Sequence, residues 1–129
     1  MRKPLPTSDS PEGTSPASLP PFSVVRVPFP FSDRKAQKRR PALVLSCPLF
    51  QQGAGHLLLA MVTSAQQSSW PLDWPIQELA PTGLKQPCRI RLKIFTLDES
   101  LLLGRLGELA EVDREGVGRK VRDLLPWMG

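Results

Sequence analysis

The sequence predicts a small, mainly β domain, a β-barrel or curled sheet that ends in a C-terminal α-helix. Short runs of β-branched and aliphatic residues follow one another at close spacing, and only the last segment has helical periodicity. The chain has 129 residues, which suits one domain and excludes a multidomain enzyme. No stretch approaches the roughly 20 apolar residues of a membrane-spanning helix, and the polar N-terminus argues against a secretory signal.

Residues 1–20 differ from the rest of the chain in composition. Five of them are proline, and most of the others are Ser, Thr, Gly or charged. Because few of these side chains can bury apolar surface, we expect a disordered leader over residues 1–20. The folded domain is then expected to cover residues 21–129.

The first half of this domain contains three predicted strands. Their β-branched and aliphatic runs lie at 24–27, 41–46 and 56–63. Pro28 ends the first strand, because proline cannot donate to a sheet ladder. A long polar and basic loop at 32–40 joins the first two strands, and a glycine-containing turn at 51–55 precedes the third.

The second half adds an edge strand, two further strands and a helix. A short edge strand is expected at 74–76 and a late strand at 101–109, where two glycines argue against a helix. Residues 111–125 have valine and leucine at helical spacing, with acids first and cations last, as a helix dipole favours.

The strand at 88–94 alternates between apolar and charged side chains. The residues expected to point inward are Cys88, Ile90, Leu92 and Ile94. Those expected to point outward are Arg89, Arg91 and Lys93. Because side chains alternate along a strand, this pattern predicts three cations on one face of the sheet.

Positive charge is concentrated in two segments. The formal net charge is +5, yet residues 26–40 hold six cations and one acid, and residues 85–93 hold four cations and no acid. Two basic segments in an otherwise acidic chain favour an anionic partner, most commonly nucleic acid. Solvated loop charge is the alternative for either segment alone, and a fold that brings the two together favours nucleic acid.

The sequence offers few metal ligands or imidazoles. Cys47 and Cys88 are not part of a CxxC motif, and His56 is the one histidine of the chain. We therefore expect two reduced, partly buried cysteines, a structural role for His56, and no metal or other cofactor.

The remaining candidates for chemistry are arginine, lysine and hydroxyl side chains. Arg40 ends the basic loop and precedes Pro41, which holds the residue before it in an extended conformation. A guanidinium can satisfy two oxygens of a phosphoryl-transfer transition state at once. Thr63 and Ser64 end the third strand and offer hydroxyl hydrogen bonds to the same phosphate.

Several motifs of the chain resemble the PemK/MazF toxins of type II toxin–antitoxin systems. The most specific lie at 25–33 and 38–46. The similarity continues through 61–64, 83–87, 95–98 and 105–109. The resemblance covers about residues 22 to 126 and implies an SH3-like barrel that forms a homodimer. The reduced state expected for the cysteines favours a cytoplasmic location.

This resemblance also implies an activity and its residues. It implies a metal-independent, sequence-selective endoribonuclease that cleaves single-stranded mRNA through attack of the ribose 2′-hydroxyl, and that a cognate antitoxin neutralises. Arg40 and Thr63 fall on the catalytic positions of the family. The positions implied to contact RNA are Ser32, Asp33, Arg34, Lys35, Lys38, Arg39, Ser64, Lys85 and Arg91.

The chain departs from the family pattern at two places, and two other functions stay open. Phe22 and Ser23 stand where the family usually has Gly-Asp, and Asp33 is the one acid available for the loop's usual glutamate. A toxin of the same fold that poisons DNA gyrase would bind through its C-terminal helix and an exposed apolar tail at 126–129. A third candidate is an RNA-binding module that does not cleave.

The tryptophans allow two roles. Trp74 is expected in the core, whereas Trp70 is open between the core and stacking on RNA bases.

Overall fold

The computed structural model describes residues 19–28 and 39–128 and contains a six-stranded antiparallel sheet with two helices. The strands are β1 (Ser23–Pro28), β2 (Arg39–Val44), β3 (His56–Ser64), β4 (Trp74–Pro75), β5 (Cys88–Asp98) and β6 (Gly104–Glu108). The helices are α1 (Pro48–Ala54) and α2 (Glu111–Leu124). Their order in the sheet is β4-β5-β3-β2-β1-β6. The predicted mainly β class with a C-terminal helix is confirmed.

Each face of the sheet carries its own apolar cluster. The first cluster packs against α2 and consists of Val24, Leu43, Ala60, Val62, Cys88, Ile90, Leu109 and Val117. The second occupies the opposite face and consists of Val25, Val27, Ala42, Val44, Leu57, Leu59 and Leu97. Because consecutive residues of a strand point to opposite faces, the central strands are apolar on both sides.

A buried carboxylate attaches α2 to the segment around β4. Asp113 is fully buried in the first turn of α2. Its Oδ1 accepts hydrogen bonds from Trp74 Nε1 and from the Gln77 backbone N–H, both at 2.8 Å, and its Oδ2 accepts one from the Glu78 N–H at 3.0 Å. The indole ring packs against Gly116 one turn later. Trp74 is therefore part of the core packing, as predicted.

The turn predicted at 51–55 is wrong, because α1 occupies most of that segment. Pro48 stands at the start of this helix, where a missing N–H costs nothing. Gly55 ends it in the left-handed conformation (φ 69°), and its N–H donates to the Gln51 carbonyl. Gln51 is buried, and its amide donates to the carbonyl oxygens of Leu19 and Ser46.

The prediction that Ile94 points inward is wrong as well. Cys88 and Ile90 are buried as expected, but Ile94 is 36% exposed. A bulge interrupts β5, since Ala60 pairs with Ile94 whereas the next residue, Met61, pairs with Arg91. Such a bulge bends its strand and disrupts the ladder, which leaves Ile94 at the surface beyond it.

Other expectations differ from the structure in their boundaries. β2 begins at Arg39, so Arg39 and Arg40 belong to a strand and not to the preceding loop. The late strand is shorter than predicted and follows a 3₁₀ turn at Glu99–Leu101. Leu19 packs against the second cluster. The rest of the predicted leader, 1–18, and the loop at 29–38 lie outside the described residues, so both stay predictions.

Candidate active site

Three neighbouring strands bring the two predicted catalytic residues to one place. β3 lies between β2 and β5. In the β2–β3 ladder Ala42 pairs with Met61, and continuing that antiparallel register by two positions sets Arg40 level with Thr63. On the other side of β3, Met61 pairs with Arg91. These side chains belong to the sheet face opposite α2, because they alternate in step with the second apolar cluster.

A pocket of about 120 Å³ lies between these strands. The residues that line it are Arg40, Met61, Val62, Thr63, Arg91 and Lys93. Among the described residues, its lining therefore combines three cations with one hydroxyl and holds no acid. The cations come from both basic segments of the sequence, so the fold brings the two segments together. A small concave site with this charge attracts an anion such as a phosphate.

Asp73 holds one of these cations in place. Its carboxylate accepts hydrogen bonds from Arg91, from Nε at 3.2 Å and from Nη2 at 3.0 Å, and Arg89 Nη1 lies 3.6 Å from Oδ2. Burial alone would raise the pKa of Asp73, but hydrogen bonds from Arg91 and the Trp70 N–H, together with the charges of both arginines, lower it overall. The carboxylate therefore stays ionised and keeps the Arg91 guanidinium oriented.

The same arginines attach the loop that follows β3. Arg91 Nη2 donates to the Ser68 carbonyl at 2.5 Å, and Arg89 donates to the Ala65 carbonyl. The Trp70 backbone N–H donates to Asp73 Oδ2 at 3.0 Å. The segment 65–73, which we call the β3–β4 loop, is therefore held against β5 beside the pocket.

The other predicted RNA-contacting residues lie at different distances from this pocket. Arg39 is exposed at the start of β2, and Lys85 is exposed ahead of β5, and neither lines the pocket. Ser64 is half-buried, and its Oγ accepts a hydrogen bond from the Gln66 N–H at 3.1 Å. The predicted contacts that lie outside the described residues are Ser32, Asp33, Arg34, Lys35 and Lys38.

The sequence does not assign Lys93 or Asp73 to this site, and it leaves Trp70 open between the core and stacking on RNA bases. Lys93 lines the pocket and is one of the outward-facing cations of β5. The alternation along this strand is the signal from which Lys93 could have been predicted. Asp73 has no such signal, because it meets Arg91 across 18 positions of sequence, and the stacking role left open for Trp70 does not by itself place it beside Arg91. Their place depends on the course of the β3–β4 loop.

The residues to which the sequence gives no part in catalysis do not line the pocket. His56 Nδ1 lies 3.0 Å from the Ala54 carbonyl at the start of β3, in keeping with a structural role. Both cysteines are free thiols; Cys88 is buried, but Cys47 is exposed, which corrects the expectation that it is partly buried. Among residues 19–28 and 39–128, no three His, Cys, Asp or Glu side chains cluster closely enough to hold a metal ion.

A second, larger concavity lies on the α2 side of the sheet. It measures about 400 Å³, and its lining residues are Trp74, Arg119, Lys120, Arg122 and Asp123. Arg119 Cζ lies 5.7 Å from the centre of the Trp74 ring. None of the predicted catalytic or RNA-contacting residues that the structure describes lines it. In the described part of the chain, neither helix is long and apolar enough to cross a membrane.

Solved structures share this fold. An endoribonuclease in complex with its cognate antitoxin from a mycobacterial species superposes with a TM-score of 0.66 at 14% identity, over 84% of this chain and 94% of that one. The Mycobacterium tuberculosis toxin MazF-mt6 gives 0.64 at 16% identity, over 81% and 96%. MazF from Deinococcus radiodurans gives 0.64 at 24% identity, over 84% and 97%. These likenesses show that the chain shares the fold of these proteins.

The sequence itself matches one family over most of its length. Residues 21–125 match the PemK-like, MazF-like toxins of type II toxin–antitoxin systems. The chain belongs to this family, which confirms the resemblance seen in the sequence. No curated protein matches the chain in a sequence search.

Proposed function

We propose that this toxin is an endoribonuclease that cleaves single-stranded mRNA at selected sequences and uses Arg40 and Thr63 as catalytic residues. One observation carries the proposal. Arg40, from the first basic segment, and Arg91, from the second, line the same small pocket as Thr63. The mycobacterial neighbour described as an endoribonuclease supports this activity, and its fold extends over 84% of this chain.

The proposed reaction is an internal transesterification at phosphorus. The 2′-oxygen of a ribose bonds to the adjacent phosphorus as its proton leaves, and the bond from phosphorus to the 5′-oxygen breaks. The 5′-oxygen takes up a proton, so that the products are a 2′,3′-cyclic phosphate and a 5′-hydroxyl. Negative charge develops on the non-bridging oxygens as the pentavalent phosphorane forms, and stabilising that charge lowers the barrier.

Arg40 is proposed to stabilise the phosphorane. Its guanidinium is permanently charged and presents two N–H groups in a plane, which suits two phosphoryl oxygens. The strand position of Arg40 supports this role, since β2 is hydrogen-bonded to β1 and pairs Arg40 with Val27. A charge held on a rigid strand needs little reorganisation when the transition state forms.

Thr63 is proposed to orient the scissile phosphate. It stands one residue before the end of β3, and its backbone pairs with Arg89 of β5. A hydroxyl donates one hydrogen bond to a phosphoryl oxygen without adding charge. Arg91 and Lys93 are proposed to hold the neighbouring phosphates of the RNA, together with the residues predicted at 32–39.

The partners follow from the same proposal. We propose a homodimer that acts in the cytoplasm and is neutralised by a cognate antitoxin. The mycobacterial structure that shares this fold holds an endoribonuclease in complex with its cognate antitoxin, which supports the antitoxin for this chain. The catalytic step is proposed to need no metal ion.

The decisive experiment compares cleavage of a long RNA by matched variants in the presence of EDTA. Arg40→Ala should lower the cleavage rate by about 100-fold or more, as expected when a charge-stabilising donor is lost. Arg105→Ala is the control, because it removes the same charge from an exposed position on β6. Intact RNA with the wild-type protein, or equal cleavage by Arg40→Ala, would rule out the proposal.

The same samples separate the two other functions. An RNA-binding module would retard RNA in a gel without cleaving it. A gyrase poison would bind gyrase in a pull-down with no loss in Arg40→Ala, and the exposed side chains of Leu124, Trp127 and Met128 are the surface it would use. Cleavage that depends on Arg40 excludes both alternatives as the main activity.

A further inference from the structure

Trp70 is a large aromatic side chain that remains 42% exposed at the edge of the pocket. The two cations of β5 that line the pocket also lie against its ring. Arg91 Cζ is 4.9 Å from the ring centre, and Lys93 Nζ is 6.0 Å from it. The ring therefore borders the cationic pocket that contains Arg40 and Thr63.

Trp70 is exposed although its backbone is firmly anchored. Its N–H donates to Asp73 Oδ2, and Asp73 in turn is bound to Arg91 by two hydrogen bonds. The β3–β4 loop is also hydrogen-bonded to both arginines of β5. Trp74, four residues later, differs from Trp70 because its side chain is engaged within the fold. Its ring packs on α2, and its Nε1 donates a hydrogen bond to Asp113.

We propose that Trp70 is a stacking platform for an RNA base next to the phosphate held in the pocket. The proposal rests on the proposed function for the presence of RNA, and it adds a positioning residue to that site. A flat aromatic ring stacks on any base, and such a contact strengthens binding without reading base identity. Cations at the ring strengthen it further, because they attract the phosphates that flank the stacked base.

The contact between Trp70 and an RNA base would be effective because the β3–β4 loop is already anchored. A side chain that is ordered before RNA arrives loses little conformational entropy on binding. The guanidinium of Arg91 is shared between Asp73, the Trp70 ring and the pocket, so the stacked base and the bound phosphate are held by connected groups. Trp70 should therefore position the substrate, and its loss should act on KM more than on kcat.

The test measures binding of single-stranded 2′-O-methyl RNA of randomised sequence, in which methylation blocks the attacking hydroxyl. Fluorescence anisotropy should show binding about tenfold weaker for Trp70→Ala, the loss expected for one stacked base. Trp70→Phe should retain most of the affinity, because phenylalanine also stacks. Trp127→Ala is the matched control, since it removes an equally large side chain that is 79% exposed after α2.

Two further measurements separate stacking from a structural role. An abasic oligonucleotide of the same charge should bind wild-type and Trp70→Ala protein equally, because it has no base to stack. Indole emission should be quenched when RNA binds to the wild-type protein, and most of that quenching should be lost in Trp70→Phe. Equal weakening towards the base-bearing and the abasic strand would overturn the proposal.

The outcomes also distinguish this inference from the proposed function. If the wild-type protein cleaves RNA but Trp70→Ala binds it normally, the stacking role is wrong and the nuclease stands. If the wild-type protein neither binds nor cleaves RNA, both the stacking role and the proposed nuclease function are wrong.

Discussion

The carboxylate of Asp73 accepts two hydrogen bonds from the guanidinium of Arg91, with N–O distances of 3.2 and 3.0 Å. The side chains of both residues are largely shielded, at 6% and 12% exposure. A charge pair with this geometry is oriented as well as neutralised, because the two bonds together fix the edge of the guanidinium formed by Nε and Nη2. Arg91 therefore faces the pocket from a direction set by the β3–β4 loop.

Replacing Asp73 by asparagine tests this orientation. Asp73→Asn removes the negative charge and leaves the shielded Arg91 without its ionic partner, which should lower the free energy of unfolding by about 1 to 3 kcal/mol. Cleavage by the folded variant should also fall, about tenfold, because Arg91 loses its orientation. Urea unfolding and steady-state kinetics measure the two effects.

Glu108→Gln provides the comparison for this variant. It breaks the exposed pair with Arg105, so its stability should change by no more than about 0.5 kcal/mol. Equal effects of the two substitutions would show that the pair at Asp73 contributes no more than a surface contact.

The same carboxylate predicts an acid dependence. The pKa of Asp73 in the folded protein lies below its usual value of 3.8, so protonation favours the unfolded state. The stability that Asp73 contributes is fully present above pH 3.8 and is lost as the pH falls through the lower pKa of the folded state. Urea unfolding at several pH values should therefore show wild-type and Asp73→Asn proteins converging in acid. A difference that stays constant below pH 3.8 would contradict this assignment.

How far the sequence predicts this site depends on how local each signal is. β-branched runs and alternation predict β1, β3 and β5, and these strands carry or support Thr63 and Arg91. The family motif assigns Arg40, which the strand pairing then brings level with Thr63. These signals are short-range or belong to one motif, so they can be recognised in a single chain.

The elements that sequence reasoning missed depend on contacts between distant positions. α1 is stabilised by the buried Gln51, whose amide binds the carbonyl of Leu19, 32 positions earlier. The bulge of β5 follows from its register with β3 and has no marker in its own residues. Asp73 resembles any loop acid until Arg91 is placed beside it. Polar residues whose partners come from other elements carry no periodicity that a sequence pattern could detect.

The two thiols should differ sharply in reactivity. Burial raises the pKa of Cys88, which reduces its thiolate fraction at neutral pH, and its Sγ lies 3.2 Å from the Gln86 carbonyl. Cys47 is exposed just before α1. A thiol-specific disulfide reagent should modify Cys47 quickly in the native protein and Cys88 only after denaturation. Cys47→Ser should abolish the fast reaction, and rapid labelling of that variant would show that Cys88 is accessible.

Two glycines in α2 should respond oppositely to alanine. At Gly118 a new Cβ would lie 3.6 Å from Arg122 Nη1, an ordinary contact. Gly118→Ala should therefore raise the free energy of unfolding by about 0.5 to 1 kcal/mol, because alanine favours the helix. At Gly116 the new Cβ would lie 2.5 Å from Cη2 of Trp74 and closer still to two other ring atoms.

Gly116→Ala must displace the indole ring, which also weakens the hydrogen bond from Trp74 to Asp113. Overpacking of this kind should lower the free energy of unfolding by about 1 to 3 kcal/mol, well beyond the gain in helix propensity. Urea unfolding of both variants, followed by far-UV circular dichroism, measures the difference in sign. Stabilisation by both substitutions would contradict the close contact between Gly116 of α2 and the Trp74 ring.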